Sequence, residues 1–122
     1  MLLNGPIVIG SAQAISVASS AIAYSNAWGL TDLNNFALEY KVAGTGTPDV
    51  DIDMEQSSDA VNWYTPNTIS QIVTSCTDTN QHGLAITPIC VRFLRFKVTE
   101  GAGLSDCVVT LKLSGQRKTL LE

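Results

Sequence analysis

The chain has 122 residues, of which 45% are apolar and only 15% are charged, and its net charge is −4 at pH 7. This length is typical of one domain with its own hydrophobic core. Phosphate-backbone binding needs a dense cluster of Lys and Arg, and eleven acids outnumber the seven basic residues. Nucleic acid is therefore not an expected partner, whereas the low share of charge favours an apolar surface that a partner covers.

Residues 1–30 are apolar and predict an N-terminal arm together with the first strands. Ile7, Val8 and Ile9 form a short apolar run that Gly10 closes. A helix is the competing prediction for residues 12–27, but their apolar residues do not follow a period near 3.6, so short strands are favoured. Residues 31–115 are then the core of the single domain and residues 116–122 a basic and then apolar tail.

No signal peptide or membrane span is expected from the apolar start of the chain. No Lys or Arg precedes the apolar stretch, and the turn Asn4-Gly5-Pro6 interrupts it. No apolar run approaches the roughly 20 residues of a membrane-spanning helix. We therefore expect a soluble product that is made inside a cell and does not enter a membrane.

Two segments in the first half of the chain alternate between apolar and polar residues. Residues 34–42 place Phe36, Leu38, Tyr40 and Val42 on one face, which predicts a half-buried antiparallel strand. Residues 49–55 alternate in the same way. Because the flexible segment 44–48 separates them, the two are predicted to form a β-hairpin.

The middle of the chain is predicted to contain a turn, a short strand and an exposed loop. Residues 57–60 are typical of a turn, and residues 61–64 predict a short strand in which Trp63 anchors the core. Adjacent strand residues point to opposite faces, so Tyr64 is expected at the surface. Residues 75–83 are polar and predict an exposed loop.

The last third predicts two further strands. Residues 89–100 give the clearest strand pattern. Their apolar residues change face along the segment, from Ile89, Val91 and Phe93 to Leu94, Phe96 and Val98, which indicates a β-bulge or burial on both faces. Residues 107–113 alternate again. In total, about seven or eight short strands predict an all-β, single-domain antiparallel β-sandwich or jelly roll.

Cysteine and acidic residues offer only weak metal-binding patterns. Cys76, Cys90 and Cys107 lack the CxxC spacing and are interpreted as small buried residues, with a Cys90–Cys107 disulfide left open. His82 is interpreted as a loop residue, and no metal cluster is expected around it. Asp49, Asp51 and Asp53 are a weak Ca²⁺ candidate, because the calcium loop of an EF-hand would need Gly and Glu where Met54 and Ala60 stand.

The alternatives for this acidic segment are a solvated or ion-paired face and a salt-bridge surface between subunits. Arg92, Arg95 and Lys97 would supply the opposite charge across the sheet or from another subunit.

No catalytic constellation is visible in the sequence. It contains neither a G-x-S-x-G nucleophile elbow nor a G-x-x-x-x-G-K-[ST] phosphate loop. We therefore expect neither enzymatic activity nor a cofactor.

Contact with a partner is the more promising function. Tyr24, Trp28, Trp63 and Tyr64 could form an aromatic platform for sugar rings, which keeps a glycan possible as ligand. The candidate interface residues combine the apolar arm, surface aromatics and late basic residues: Ile7, Val8, Ile9, Trp28, Tyr64, Arg92, Arg95, Lys97 and Arg117.

Two segments, residues 54–63 and residues 91–99, carry a resemblance to known proteins. They resemble the discoidin-like (F5/8 type C) β-sandwich, with its S-x-D-G-x-x-W turn and a later Arg-containing strand, and a set of small bacteriophage virion proteins with similar sandwiches. The chain has Ala60 where the discoidin pattern has Gly, is shorter than that domain and lacks its paired terminal cysteines. These departures weaken a carbohydrate-binding interpretation. The expected lack of a signal peptide, the low charge, the apolar N-terminal arm and the basic and then apolar tail favour the virion proteins.

The resemblance implies a head decoration (cement) protein that bridges capsomers in the virion. Its partners would be the major capsid protein or another virion protein, and it would form a homo-oligomer, with a trimer favoured. A carbohydrate-binding module and a tail, neck or fibre-associated protein are the alternatives.

Overall fold

The computed structural model describes residues 7–8, 12–30, 33, 35–44, 46–66, 71–87, 92–101 and 106–116. All regular secondary structure in these residues is β-strand, and two antiparallel sheets form a single-domain β-sandwich. The predicted fold class is therefore confirmed. Over the same residues there is no helix of the length and apolar character that crossing a membrane requires.

Each sheet has a pair of long central strands. The strands, in chain order, are β1 (Ile7–Val8), β2 (Gln13–Val17), β3 (Ile22–Tyr24), β4 (Trp28–Gly29), β5 (Asn35–Gly44), β6 (Val50–Ser57), β7 (Gln71–Cys76), β8 (His82–Ile86), β9 (Phe93–Glu100) and β10 (Cys107–Gln116). In sheet A, β10 pairs with β5 on one side and with β1 and β2 on the other. β8 pairs with the far side of β5. In sheet B, β9 pairs with β6 on one side and with β3 and β4 on the other. β7 pairs with the far side of β6.

The core lies between the inner faces of the two sheets. Side chains alternate between the two faces of a strand, so every second side chain of the central strands points inward and is buried. Trp28 joins this core, with its ring centroid 5.9 Å from that of Phe96. Among the residues that the structure describes, the completely buried apolar ones are Leu38, Val42, Val50, Ile52, Leu94, Phe96, Val98, Val109, Leu111 and Leu113.

The predicted hairpin of residues 34–42 and 49–55 is wrong, although both strands are present. β5 belongs to sheet A and β6 to sheet B, so the connection between them crosses the sandwich. Gly46 within this connection has a φ of 80°, a backbone conformation that glycine adopts without a steric cost. Alternation identifies the buried face of a strand but not its neighbour, and the sequence therefore could not distinguish a hairpin from a crossover.

Residues 13–30 belong to the sandwich and are not part of an extended arm. The preference for strands over a helix is confirmed, since β2 pairs with β10 and β3 pairs with β9. Ile15, Val17 and Leu30 are buried in the core.

The ends of the chain are described only in part. β1 lies along β10, with Ile7 opposite Gly115, whereas Ile9 and the tail 117–122 lie outside the described residues.

β9 begins at Phe93, later than the sequence predicted. Leu94, Phe96 and Val98 point inward, and Phe93 lies on the outer face with Arg95. Ile89 and Val91, which carried the predicted change of face, lie outside the described residues.

A buried carboxylate at the end of β9 connects three segments of the chain. Glu100 is 1% exposed, and its side chain accepts hydrogen bonds from the backbone N–H of Asp49 at 2.9 Å and of Ser20 at 3.4 Å. The backbone N–H of Glu100 donates to Ala21 O at 3.1 Å. The starts of β3 and β6 are thereby held at the end of β9.

Replacing this carboxylate should destabilise the sandwich. We expect Glu100→Ala to lower the free energy of unfolding by about 2 kcal/mol, because the partly buried N–H groups of Asp49 and Ser20 lose their acceptor. Glu100→Gln should cost less, since its amide oxygen still accepts. Denaturant unfolding measures the change. Glu39→Ala, which removes an exposed carboxylate from β5, is the control and should cost at most about 0.5 kcal/mol. An equal effect of Glu100→Ala and Glu39→Ala would contradict this role of Glu100.

Candidate functional site

The outer face of sheet B carries opposite charges on its two central strands. The antiparallel register places Glu55 opposite Arg95 and Asp53 opposite Lys97. On the other side of β9, Tyr24 lies opposite Lys97. Acidic, basic and aromatic side chains are thus neighbours on one face of one sheet.

Arg95 is at the centre of this face. Its Nε donates a hydrogen bond to Glu55 Oε1 at 2.7 Å. The guanidinium carbon lies 4.3 Å from the centroid of the Tyr24 ring and 4.5 Å from that of Trp63. A guanidinium group over aromatic faces is attracted by the ring quadrupoles. We call Tyr24, Glu55, Trp63 and Arg95 the arginine cluster.

A tight turn brings Trp63 to Arg95. The Ser57 hydroxyl oxygen accepts hydrogen bonds from the backbone N–H of Asp59 and of Ala60. Asp59 Oδ1 accepts from the backbone N–H of Val61 at 2.9 Å and of Asn62 at 2.8 Å. The carboxylate therefore fixes the direction in which the chain leaves the turn.

Tyr64 is exposed beside the cluster, whereas Trp63 does not anchor the core. Tyr64 and Gln56 exchange two backbone hydrogen bonds of 2.8 and 3.0 Å, and the Tyr64 side chain is 51% exposed. The predicted surface position of Tyr64 is confirmed. Trp63 is only half-buried and stacks on Arg95, because residues 61–63 continue the predicted turn and do not form the strand predicted for residues 61–64.

Trp28 is not a surface aromatic. It is 7% exposed and packs on Phe96 inside the sandwich. Its selection as an interface and sugar-stacking residue is therefore wrong. β4 is a two-residue strand at the edge of β9, and a side chain at an edge strand can still close the core.

The remaining interface candidates do not form one surface. Arg95 and Lys97 share the outer face of sheet B, whereas Arg92 precedes β9, with its guanidinium carbon 5.8 Å from the centroid of the Phe93 ring. Ile7 and Val8 belong to β1 of sheet A. Ile9 and Arg117 lie outside the described residues.

The three aspartates of the Ca²⁺ candidate do not converge on a common point. Asp51 accepts a hydrogen bond from the backbone N–H of Ser75 at 2.7 Å, and Asp53 faces Lys97. Burial raises the pKa of Asp53 above its ordinary value, and the charge of Lys97 acts against this shift. Of the open alternatives for this segment, the structure supports a charge-paired face within one sheet.

The structure brings together three potential metal ligands for which the sequence predicted no site. Within the described part of the chain, the potential ligands lying close together are Cys76, Asp78 and His82. The only sequence signal is their spacing, C-x-D-x-x-x-H, between two strands.

Both described cysteines are buried. Cys76 and Cys107 are free thiols. Burial raises the pKa of both thiols. Cys90, with which a disulfide to Cys107 was left open, lies outside the described residues.

Comparison with known proteins gives the chain no family. No protein-family model matches it. No curated protein is significantly similar to it.

The turn that presents Trp63 contains a strained residue. Ala60 has a φ of 62°, where a side chain costs about 1–2 kcal/mol, and glycine is free of this strain. We expect Ala60→Gly to raise the free energy of unfolding by about 0.5–1 kcal/mol, after the greater chain entropy of glycine is subtracted. Ala43→Gly at an exposed position of β5 is the control and should be destabilising in the same denaturant titration. A loss of stability in Ala60→Gly would show that the left-handed conformation is not strained.

Asp59 should make stability depend on pH in the acidic range. Hydrogen bonds from the backbone N–H groups of Asn62 and Val61 hold the pKa of Asp59 well below its ordinary value of 3.8. The pKa of Asp59 is lower in the folded chain than in the unfolded chain. The Asp59 carboxylate therefore stabilises the fold at pH values above 3.8, and this contribution is lost as the pH falls below 3.8. Between about pH 5 and pH 2, the free energy of unfolding of Asp59→Asn should therefore fall less steeply than that of the wild type. Parallel curves for the two proteins would refute this role.

Proposed function

We propose that this protein is a non-enzymatic structural component of a bacteriophage virion, of the head decoration type, that attaches to the capsid through the outer face of sheet B. The observation that carries the proposal is the arginine cluster, in which Arg95 contacts the rings of Tyr24 and Trp63 and the carboxylate of Glu55. The sandwich fold and the resemblance of residues 54–63 and 91–99 to small virion proteins support the same function.

The residue types in the cluster are those that contribute most to protein–protein binding. Trp, Tyr and Arg are enriched among the residues whose truncation costs the most binding energy. Arg95 already has its aromatic and carboxylate partners in the free chain, so a docking protein immobilises fewer side chains. The surface is therefore prepared for a partner before the partner arrives.

Exposed apolar and aromatic side chains are concentrated in the segments that form the cluster. Within the described residues, four of the five exposed large apolar or aromatic side chains lie on β3 or in segment 61–64: Ile22, Tyr24, Val61 and Tyr64. The fifth, Val108, lies on sheet A. Lys97 and Asp53 add charge at the side of this patch. Apolar and aromatic contacts with a polar rim are the usual composition of a protein interface.

Decoration of a capsid also requires several copies of such a surface. The proposed assembly is a homo-oligomer, most simply a trimer, with one arginine cluster in each subunit. Several weak contacts on a repeating lattice produce tight retention through effective concentration. The mechanism is the bridging of neighbouring capsomers of the major capsid protein.

Replacing Arg95 of the arginine cluster, or Tyr64 beside it, should weaken capsid retention without unfolding the chain. We expect Arg95→Ala and Tyr64→Ala each to weaken cosedimentation with capsids that lack this protein by about 10- to 100-fold, or about 1.4–2.8 kcal/mol. Lys112→Ala is the matched control, because it removes one positive charge from the paired strands of sheet A, and it should bind as the wild type does.

Unchanged binding of both Arg95→Ala and Tyr64→Ala, with circular dichroism showing them folded, would refute the proposed attachment surface. A wild-type protein that remains monomeric and binds no capsid would refute the decoration function as a whole.

A carbohydrate-binding module is the second candidate. Tyr64 is exposed beside Trp63, and the Glu55 carboxylate nearby could accept hydrogen bonds from sugar hydroxyls. Against this function, Arg95 already covers a face of the Tyr24 and Trp63 rings. A glycan array with a hit that Tyr64→Ala removes would favour this candidate, and an array without hits would exclude it.

A further inference from the structure

The connection between β7 and β8 brings three ligand-type side chains to one end of the sandwich. Cys76 is the last residue of β7 in sheet B, and His82 is the first residue of β8 in sheet A. Asp78 lies in the crossing between them. One ligand atom from each residue, Cys76 Sγ, His82 nitrogen and an Asp78 carboxylate oxygen, lies within 4.8 Å of the other two.

The contacts between the three side chains are close. His82 Nε2 lies 2.6 Å from Asp78 Oδ1. Cys76 Sγ donates to the backbone oxygen of Asp78 at 3.7 Å. The Cys76 side chain is buried, whereas those of Asp78 and His82 reach solvent, with 47% and 34% exposure respectively. An ion could therefore reach the cluster from solvent and meet a buried sulfur.

The surrounding structure orients the two residues on the strands. The Tyr40 ring lies opposite His82 in the pairing of β5 with β8 and stacks on the imidazole, with 5.0 Å between the centroids and 21° between the planes. The pairing of β6 with β7 shifts register between Val50 and Ile52, just before Cys76. Such bulges change the direction of a side chain. Asp51 holds the N–H of Ser75 next to this shift.

We propose that Cys76, Asp78 and His82 form a Zn²⁺ site. A thiolate, an imidazole and a carboxylate are the ligands that Zn²⁺ takes in proteins, and three of them leave a fourth position for water. Ca²⁺, which takes oxygen ligands alone, does not suit this set. On binding, the Cys76 thiol releases its proton to solvent and the sulfur lone pair binds the metal. The expectation that no metal cluster surrounds His82 is revised by this geometry.

The ion would connect the two sheets. Its ligands come from the end of β7 in sheet B, from the start of β8 in sheet A and from the segment that joins them. A metal bound only by the folded chain stabilises that chain in proportion to its occupancy. The site therefore acts as a clamp at one end of the sandwich, independently of the outer face of sheet B.

The experiment uses the full chain, reduced and stripped of metal by dialysis against EDTA. Equilibrium dialysis with Zn²⁺ alone should show one ion per chain, and the melting temperature should rise with Zn²⁺ concentration. Co²⁺ in place of Zn²⁺ should give a thiolate-to-metal charge-transfer band, which reports directly on the sulfur ligand.

Ligand variants decide whether the metal occupies this site. Loss of a residue that only hydrogen-bonds to a metal ligand weakens metal binding by about 10- to 100-fold. His82→Gln and Cys76→Ala each remove a ligand and should weaken Zn²⁺ binding by more than this. Cys76→Ala should also remove the charge-transfer band. Cys107→Ala removes the other described buried thiol and should leave both signals unchanged.

No Zn²⁺ uptake by the wild type, or full uptake by His82→Gln, would overturn the proposal. His82→Gln changes a partly exposed side chain, so the test remains decisive if Cys76→Ala does not fold.

Discussion

The antiparallel pairing of β6 with β9 is the constraint on which the rest of sheet B depends. Its register places Met54 opposite Phe96 on the inner face and Glu55 opposite Arg95 on the outer face. Since side chains alternate along a strand, a slip of one residue would turn the buried set outward and the charged set inward. The completely buried Ile52 and Leu94 therefore fix the register, and the same register brings Arg95 to its carboxylate partner. Core packing and the outer surface are two consequences of one pairing.

The surface that follows from this register is ordered before any partner binds. Tyr24 comes from β3 and Trp63 from the turn after β6, and both contact Arg95. Two segments that are distant in sequence thus meet on one guanidinium group. The cluster of Cys76, Asp78 and His82 connects the sheets at an end of the sandwich. Under the proposed function, a preorganised contact surface and a metal clamp between the two sheets would both help the subunit to keep its shape on a capsid lattice.

The sequence predicted the faces of the strands better than their neighbours. Alternation correctly identified Phe36, Leu38 and Val42 as buried, because burial of one face is a local property of the pattern. The pairing partner is not local, so β5 and β6 were assigned to one hairpin although they lie in different sheets. Trp63 was assigned to the core because its size favours burial, whereas the Asp59 turn directs it to Arg95. The cysteine and histidine cluster depends on a crossover between sheets, which no pattern in the chain predicts.

Hydroxyl-radical footprinting of the free and the capsid-bound protein tests most directly whether the outer face of sheet B is the attachment surface. Oxidation of Tyr24, Trp63 and Tyr64 is measured by mass spectrometry in both states, with the exposed Val108 of sheet A as internal reference. Attachment through the arginine cluster predicts that oxidation of the three aromatic residues falls on the capsid while that of Val108 is unchanged. Protection of Val108 with undiminished oxidation of Tyr24, Trp63 and Tyr64 would contradict it.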